Sequence, residues 1–445
     1  MLVRFWGTRG SLPKPGPTTV RYGGNTSCVE VRSDAGTLLV LDSGTGAHEL
    51  GQAVVRDAGW NRRGNMLLTH THWDHIQGFP FFGPVFVPDS SWAIYGPGEA
   101  GQTLRDTLAG QMHYRYFPVS LKGLSAGLRF HDIGEGAFSL GDVRVTAAYM
   151  NHTQVATGYR IVADGVTVVY ATDHEPHANH APWNDLGAWP TLAHAEDVRH
   201  AQFLAGADLV IHDAQYTDEE YPAKRGWGHS PAEYVVDLAV LGGVKQLALF
   251  HHDPLRDDAS LEQVVERCQQ RVAALGSDLQ VLAAAEGVTL RLPDLMAPAR
   301  PLLTQPHAAR GTPRSEQTVL IVGEDNDANR LLEETLRDDG FRLLVVRDAE
   351  AALAAAREHR PALMLVTWHP GESAALAVCR ALRAADDPGL RSLPVLLLTP
   401  DASPESVTEG FAAGANDVIY QPFAPPHVRT RVRQWLRRAQ TANRT

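Results

Sequence analysis

Cysteine is scarce in this sequence of 445 residues, which contains only Cys28, Cys268 and Cys379. These three are far apart and odd in number, so they form neither a disulfide framework nor a cysteine-type zinc motif. Such sparing use of cysteine is typical of a reducing compartment, and we expect a cytoplasmic protein. The N-terminus, MLVRFWGTRG, lacks the apolar core of a secretion signal. No apolar run is long enough to span a membrane, so we expect no membrane association.

Basic residues are also fewer than acidic residues. The chain has 51 acidic and 40 basic residues, and its formal net charge is −11. No segment forms an arm rich in lysine or arginine. Proteins that hold long nucleic acids by the phosphate backbone usually show such a basic surface. The charge balance therefore weighs against a long nucleic acid as substrate or partner.

Histidine, by contrast, is plentiful, with 20 residues in the chain. The stretch THTHWDH places His70, His72, Asp74 and His75 directly after a predicted strand. Imidazole nitrogens suit borderline metals such as zinc, and carboxylates complete or bridge such sites. The alternative is a polar loop that is rich in histidine by chance. The order His-x-His-x-Asp-His favours a metal site over that alternative.

The length of the chain predicts at least two domains. Segment 293–316 contains five prolines and shows no periodic pattern. We interpret it as an inter-domain linker, which places the first domain at 1–292 and the second at 317–440.

Strand and helix patterns alternate in the first domain and indicate a layered α/β fold with two sheets inside and helices outside. The predicted strands are 37–41, 65–69, 143–149, 165–170, 208–211, 246–250 and 288–292. A helix is predicted over SPAEYVVDLAVLGG, with Ser230 as N-cap, Pro231 as the first helical residue and Gly242 at the end. Several predicted strands end directly in histidine or aspartate, so these side chains are expected to meet at one edge.

The THTHWDH motif resembles the signature of the metallo-β-lactamase superfamily, and the resemblance covers most of the first domain. It implies an αββα sandwich with a binuclear metal centre. His152 in NHT, Asp173 in YATDHE and His251 in LALFHHDP stand where the family has its remaining ligands, with His252 as the alternative to His251. The resemblance implies two ligand sets: His70, His72, His152 and Asp173 for one ion, and Asp74, His75, Asp173 and His251 for the other.

Two divalent metal ions are thus the expected cofactors, with zinc as the default and manganese or iron as alternatives. Two close cations activate water at neutral pH and stabilise both sides of a displacement reaction. A flavodiiron oxidase of the same fold needs a glutamate in place of His72. The resemblance therefore implies a metal-dependent hydrolase rather than an oxidoreductase.

Two further motifs resemble the ribonuclease Z and cyclic-nucleotide phosphodiesterase branch of the superfamily. Asp213 in LVIHDAQYTDEEYP and His229 in GWGHSPAEY match an acidic residue and a histidine that are partners in that branch. Asp213 would orient His229 and raise its pKa, and protonated His229 would donate to a phosphoryl oxygen. The alternative is that His229 only helps to cap the following helix. With Asp74, which would orient the attacking water or take its proton, Asp213 and His229 are the predicted catalytic residues.

The sequence also departs from ribonuclease Z, because the long basic or Gly-Pro-rich arm that grips transfer RNA is absent. A stretch rich in His and Trp at 175–200 is either a lid over the metals or surface packing. An insert at 95–118 is predicted to line the pocket with Tyr114 and Tyr116. The turn around Arg9 is either a phosphate contact or an ordinary turn. The two inserts and the acidic balance favour a small phosphodiester over a folded RNA.

In the second domain, strict alternation of strands and helices predicts a doubly wound parallel sheet. This region resembles, over its full length, a two-component receiver domain of the flavodoxin-like type. Glu324 and Asp325 match the acidic pair that binds metal in receivers. The third strand ends LVTWHPG, so Val366 or Thr367 stands in place of the phosphoacceptor aspartate, and Gln421 replaces the usual lysine. We interpret this domain as a pseudo-receiver.

These features predict a binuclear metal-dependent phosphodiesterase that acts on a small phosphodiester, such as a cyclic nucleotide. The receiver-like domain is expected to regulate or dimerise it without phosphorylation. We expect a homodimer and a signalling protein partner for the receiver-like domain. One alternative is a ribonuclease Z-like RNA endonuclease. Another is a non-catalytic signalling scaffold, against which the complete ligand set speaks.

Overall fold

The computed structural model describes most of the chain. The residues that it describes are 1–98, 102–178, 180, 185–292, 317–323, 327–338, 341–369, 373–401, 403–421 and 425–442. The predicted linker at 293–316 and the acidic pair Glu324 and Asp325 lie outside these residues. In the described part, no helix has the length and apolar character needed to cross a membrane.

Two sheets of seven strands form the centre of the first part of the chain. The strands are β1 (Leu2–Gly7), β2 (Cys28–Arg32), β3 (Leu38–Leu41), β4 (Arg63–Leu67), β5 (Ser91–Gly96), β6 (Gly127–Asp132), β7 (Gly136–Leu140), β8 (Val143–Met150), β9 (Ala156–Ala163), β10 (Val166–Ala171), β11 (Leu209–Asp213), β12 (Gln246–Phe250), β13 (Gln280–Ala283) and β14 (Thr289–Arg291). One sheet has the order β14-β1-β2-β3-β4-β5-β6, and the other has the order β13-β12-β11-β10-β9-β8-β7.

Helices cover the outer faces of both sheets. They are α1 (Ala47–Arg56), α2 (Trp73–Ile76), α3 (Leu104–Gln111), α4 (Ala195–Leu204), α5 (Ala232–Leu241) and α6 (Asp258–Ala274). Strand β3 shows how the layers form, because successive side chains of a strand point to opposite faces. Leu39 and Leu41 pack into the core between the sheets, whereas Leu38 and Val40 pack with α1 in the outer core. The αββα sandwich expected from the sequence is confirmed.

The predicted strands correspond to β3, β4, β8, β10, β11, β12 and β14, with ends displaced by about two residues at most, the usual uncertainty of such boundaries. Helix α5 begins at Ala232, one residue later than expected, and Pro231 is its N-cap. Ser230 was the predicted N-cap, but its hydroxyl donates to the carbonyl of His174 instead. The predicted end at Gly242 is confirmed.

Parallel strands lie side by side in both sheets, where β3 to β6 and β10 to β13 form parallel ladders. The carboxyl ends of parallel strands share one edge, which is where open α/β sheets bind ligands. His70 lies shortly after β4, Asp173 after β10 and His251 directly after β12. The topology therefore brings together residues that are far apart in sequence.

The second part of the chain is a parallel five-stranded sheet of order β16-β15-β17-β18-β19, as the doubly wound prediction requires. Its strands are β15 (Thr318–Val322), β16 (Arg342–Val346), β17 (Leu363–Thr367), β18 (Val395–Thr399) and β19 (Asp417–Tyr420). Its helices are α7 (Asp327–Asp338), α8 (Ala349–His359), α9 (Ser373–Arg383), α10 (Pro388–Arg391), α11 (Pro404–Ala412) and α12 (Pro425–Ala442). Val428, Val432 and Leu436 of α12 pack against one face of the sheet.

Candidate metal centre

The first predicted ligand set lies in one buried cluster. The Nδ1 atom of His72 is 2.9 Å from Nε2 of His70 and 3.1 Å from Nε2 of His152. The Oδ2 atom of Asp173 is 3.4 Å from Nε2 of His70 and 3.5 Å from Nε2 of His152. One ligand atom from each of the four residues falls within 4.8 Å of all the others. This spacing fits a tetrahedral site with nitrogen and oxygen ligands.

The second predicted ligand set adjoins the first. Nε2 of His251 lies 3.1 Å from Oδ2 of Asp74 and 3.3 Å from Nε2 of His75. Asp173 contributes to both sets, because its Oδ1 is 3.2 Å from His251 while its Oδ2 is 3.3 Å from His75 and also approaches the first cluster. Asp173 therefore lies within reach of both predicted ligand sets. The structure thus brings all seven predicted ligands together.

Hydrogen bonds on the outer side of the imidazoles determine which nitrogen faces inward. Nδ1 of His152 donates to the carbonyl of Gly228 at 2.8 Å, and Nδ1 of His251 donates to Oε1 of Gln215 at 3.2 Å. Nδ1 of His75 donates to Asp42 at 2.8 Å. In the neutral ring, each bond assigns the proton to Nδ1 and leaves a lone pair on Nε2, which is the arrangement that metal-binding histidines require.

Asp42 is the functional residue that sequence reasoning missed. It follows β3, and besides His75 its carboxylate accepts the backbone N–H of Thr69 at 2.7 Å and the hydroxyl of Tyr170 at 2.8 Å. The Thr69 hydroxyl donates to Asp42 as well, so it accepts from Nδ1 of His70. Asp42 therefore orients two predicted ligands. Its signal in the sequence is an aspartate at a strand end, before a Ser-Gly pair.

The backbone is strained at three strand ends that border the site. Asp42, Asp173 and His251 have φ values of 58°, 57° and 57°, a region that residues with a side chain rarely adopt. Such strain persists where surrounding contacts hold it, and it clusters at functional sites. Gly10 permits one of these contacts, because a Cβ there would lie 2.4 Å from Nδ1 of His251.

The electrostatics suit cations. Burial, together with the neighbouring histidines, holds the pKa of His70 well below its usual value, and burial does the same at His152. Both rings are thus neutral, the form that binds metal. Burial would also lower the pKa of His75, but the charges of Asp173, Asp74 and Asp42 raise it well above its usual value. A metal ion at His75 must therefore displace a proton.

The directions in which the two rings point decide between His251 and His252 as the predicted ligand. Nε2 of His252 donates to the carbonyl of Ala284 at 2.9 Å, and burial lowers the pKa of this ring to about 3. His251 instead points at Asp74 and Asp173. Only His251 of this pair lies in the cluster.

The predicted pair of Asp213 and His229 lies beside the cluster. Nδ1 of His229 is 2.9 Å from Oδ2 of Asp213, and the ring centre of His229 is 4.9 Å from that of His251. Burial disfavours the charged ring, but the charge and hydrogen bond of Asp213, with help from Asp173 and Asp74, raise the pKa of His229 to about 9. His229 forms no side-chain cap on α5. The structure therefore places the His229 imidazole, held by Asp213, next to the predicted ligands.

Other predicted features lie elsewhere. Arg9 is buried and donates to the carbonyls of Gly23 and Arg256, so it stabilises loops and does not face a phosphate. Tyr114 and Tyr116 project into solvent, with exposed fractions of 75% and 79%, and do not line an enclosed pocket.

The His-rich stretch at 175–200 has both buried and exposed side chains in its described part. His177, His194 and His200 are buried, whereas Trp189 is exposed. Residues 179 and 181–184 of this stretch lie outside the described residues.

At the corresponding edge of the second sheet, the ends of β17 and β19 carry neutral side chains. Thr367 is the last residue of β17, and its hydroxyl donates to Oδ1 of Asn329 at 2.9 Å. A Cβ on Gly323, directly after β15, would meet this hydroxyl at 2.7 Å, so Thr367 rather than Val366 faces that edge. Gln421 directly follows β19.

Comparison with known families divides the chain in the same way. Residues 61–252 match the model of a beta-lactamase superfamily domain, and residues 319–433 match that of a response regulator receiver domain. The chain therefore has a metallo-β-lactamase fold domain followed by a receiver domain. This fold implies binding of divalent metal, in agreement with the His and Asp clusters.

Individual proteins resemble one domain or the other. The DNA-binding response regulator MtrA of Mycolicibacterium paratuberculosis is 38% identical over 122 residues, which are 27% of this chain and 52% of MtrA. The chain thus spans about half the length of the curated relatives it matches. The metallo-β-lactamase fold protein YhfI of Bacillus subtilis is 16% identical, with a TM-score of 0.45, and the match covers 65% of this chain and 98% of YhfI. The short form of human tRNase Z is 20% identical, with a TM-score of 0.45, over 66% of this chain and all of that protein.

Proposed function

We propose that this protein is a binuclear metal-dependent phosphodiesterase that acts on a small phosphodiester such as a cyclic nucleotide. The observation that carries this proposal is the pair of His229 and Asp213 beside the two ligand clusters. A lactam or thioester bond has no phosphoryl oxygens to receive a hydrogen bond from a cationic imidazole, whereas a phosphodiester has two. Protonated His229 suits that acceptor.

The ligand sets fit two divalent ions, because four imidazoles have their outer nitrogen tied to an acceptor and direct the other inward. Zinc is the proposed metal, since nitrogen ligands dominate, with manganese or iron as alternatives. Bound at this site, the ions would activate water for attack on phosphorus.

Three protein residues would have separate roles in the reaction. Oδ2 of Asp74 accepts the backbone N–H of Ser11 at 2.7 Å, which holds the carboxylate at the cluster, where it can orient water or take a proton. His229 would donate to a phosphoryl or leaving oxygen, and Asp213 would keep that ring protonated.

Exposed aromatic side chains that neighbour predicted site residues in the sequence favour a substrate with a flat group. Trp73 lies between the ligands His72 and Asp74 in sequence and is 77% exposed. Trp227, two residues before His229, is 57% exposed, and Nζ of Lys224 lies 4.2 Å from its ring centre. Aromatic faces of this kind stack on nucleobases, and a nearby cation attracts phosphate.

The same aromatic and basic side chains favour a second candidate, a ribonuclease Z-like RNA endonuclease, because single-stranded RNA also binds by stacking. The net charge of −11 makes this candidate the weaker one.

We further propose that the receiver domain works without phosphorylation, because Thr367 stands at the end of β17. The homodimer and the signalling partner stay predictions from the sequence.

The test is a substrate screen of the metal-loaded full-length protein. The panel contains cyclic nucleotides, cyclic dinucleotides, an aryl phosphodiester, short RNAs, a lactam and a thioester. We expect one of the small phosphodiesters to have the highest kcat/KM. Faster cleavage of the lactam or thioester would refute the phosphodiesterase assignment, and preference for RNA would favour the second candidate.

A further inference from the structure

One side of α12 contacts the first domain through polar side chains. Nε2 of Gln434 donates to the carbonyl of Met150 at 2.8 Å, and both residues are buried. The guanidinium of Arg438 bonds Glu135 at 3.1 Å and Glu196 at 3.2 Å. These contacts join the receiver domain to the end of β8 and the start of α4.

A second group of contacts surrounds His194, the N-cap of α4. The ring of this fully buried histidine packs edge-on against Phe411 at 5.0 Å, and its Nε2 lies 3.7 Å from Oδ1 of Asp417. Asp417 also binds Arg431 at 3.0 Å and Trp435 at 2.8 Å. We call Phe411, Asp417, Arg431, Gln434 and Arg438 the docking face.

The contact at Met150 is adjacent to the metal centre. Met150 ends β8, and Asn151 and the predicted ligand His152 follow it. Asn151 is tied to Glu175 twice, since the Glu175 N–H donates to its carbonyl at 2.7 Å and its Nδ2 donates to the Glu175 carbonyl at 2.7 Å. The docking face therefore holds a strand end that leads directly into a ligand.

Glu175 extends this connection to the loop of His229. Its carboxylate is buried and accepts the backbone N–H groups of Gly226 and Gly228 at 2.7 and 2.8 Å. The carbonyl of Gly228 in turn accepts Nδ1 of His152. Asn151, Glu175 and Gly228 thus form a closed network around His152 and the loop that carries His229.

A parallel route runs through α4. Asp197, next to the Arg438 partner Glu196, accepts the hydroxyl of Tyr234 at 2.8 Å and the N–H of His177 at 2.9 Å. Oη of Tyr234 lies 3.5 Å from Nε2 of His174, whose Nδ1 accepts the Asn151 N–H at 3.2 Å. Both series of contacts connect the docking face to residues 150 and 151.

We propose that the receiver domain is a positioning element for the catalytic loops. Its docking face holds the strand end before His152 and, through Glu175, the loop of His229. Loss of docking is expected to loosen both loops and to lower catalysis without any change in phosphorylation. The activity part of this proposal rests on the proposed function, whereas the effect on the loops does not.

The test compares full-length variants by hydrogen–deuterium exchange and by kinetics. Arg438→Glu places a negative charge against Glu135 and Glu196, and Gln434→Ala is the milder variant. Arg337→Glu is the matched control, because its partner in the described part of the chain is Glu333, on the same helix α7. We expect faster exchange in peptides covering 150–153 and 226–230 for the first two variants only.

Kinetics supply the second readout. We expect kcat for the best substrate to fall about five- to 150-fold in Arg438→Glu, the usual range of coupling between sites, and metal content to stay at the wild-type value. The double variant Arg438→Glu with Glu135→Arg should restore exchange and kcat only in part, because Glu196 still faces the new carboxylate. Unchanged exchange at 150–153 and 226–230, when peptides from 434–438 show that docking is lost, would overturn the proposal. Absence of phosphodiesterase activity in the wild type would refute only the proposed function, because the exchange experiment does not need turnover.

Discussion

Both domains contain parallel strands whose carboxyl ends form one edge of a sheet, but the two edges carry different side chains. In the first domain this edge gathers buried histidines and aspartates from separate strands, among them His70, Asp173 and His251. In the receiver domain the ends of β17 and β19 carry neutral side chains, with Thr367 bonded to Asn329 and Gln421 after the last strand.

The contrast shows that topology supplies a place for chemistry, whereas side-chain identity decides whether chemistry follows. Buried carboxylates and converging imidazole lone pairs are costly without a counter-charge, so the first edge is arranged for cations. A hydroxyl and an amide satisfy each other and need no ion. The strained backbone at Asp42, Asp173 and His251 indicates that the first edge retains an arrangement that folding alone does not favour.

The largest effect is expected from the bridging carboxylate. Asp173→Ala should remove both ions, because Asp173 contributes to both ligand sets, and it should abolish turnover. Elemental analysis should find about two ions per chain in the wild type and close to none in the variant. Asp278→Ala, at an exposed loop position, is the control. Full metal content in Asp173→Ala would contradict the binuclear assignment.

A slightly smaller effect is expected at His229. His229→Ala should keep both ions but lose about 10²- to 10⁴-fold in kcat for a phosphodiester, the usual contribution of an acid–base group. Metal content and kinetics are measured on the same preparation. If the variant loses metal in parallel with activity, His229 acts as a ligand and not as a donor.

A steric change should affect one ion selectively. Gly10→Ala places a Cβ 2.4 Å from Nδ1 of His251, so that ring, or the loop that carries residue 10, must shift from its present position. We expect metal content to fall from about two ions to about one per chain, since the first set is untouched. Gly16→Ala is a matched control, because nothing lies within 4 Å of the added carbon. Equal metal content in the two variants would show that the loop around residue 10 accommodates the added carbon without any loss of metal.

The pH profile tests the electrostatics of the site. His229 must be protonated to donate, so activity should fall as pH rises through its pKa, which is raised to about 9 before bound cations lower it. Asp213→Asn removes the charge that raises this pKa, so the alkaline limb of kcat/KM should move to lower pH. An unshifted limb, with metal content unchanged, would assign that limb to another group.

The smallest effect is expected at the receiver edge. Incubation with acetyl phosphate and magnesium should add no phosphoryl group to an aspartate, because Thr367 ends β17. Intact-mass spectrometry measures this directly, and a receiver with the usual aspartate serves as the positive control. A stoichiometric aspartyl phosphate would show that the two edges are less different than their side chains indicate.

Sequence reasoning located the centre well because much of it is local. THTHWDH follows β4 within a few residues, so strand direction and one turn orient four side chains together. Strands with strong apolar runs, such as β12, were also predicted within a residue. Sequence reasoning missed the strands β1, β2, β5, β6, β7, β9 and β13 and the short helix α10. Weak alternation leaves little signal in the half-exposed β6 and β7, and marginal length leaves little in β13 and α10.

The sequence by itself determined the order of the two domains, the residues that can bind metal and the loss of a carboxylate at the end of β17. Tertiary structure alone decided that His251 and not His252 joins the cluster, and that Arg9 binds carbonyls instead of phosphate. It also decided that Asp42 and Glu175 support the site, and that α12 docks beside Met150. The physical reason is separation along the chain. A motif after one strand is oriented by local backbone geometry. These outer contacts join segments far apart in the chain, so they exist only when the layers pack.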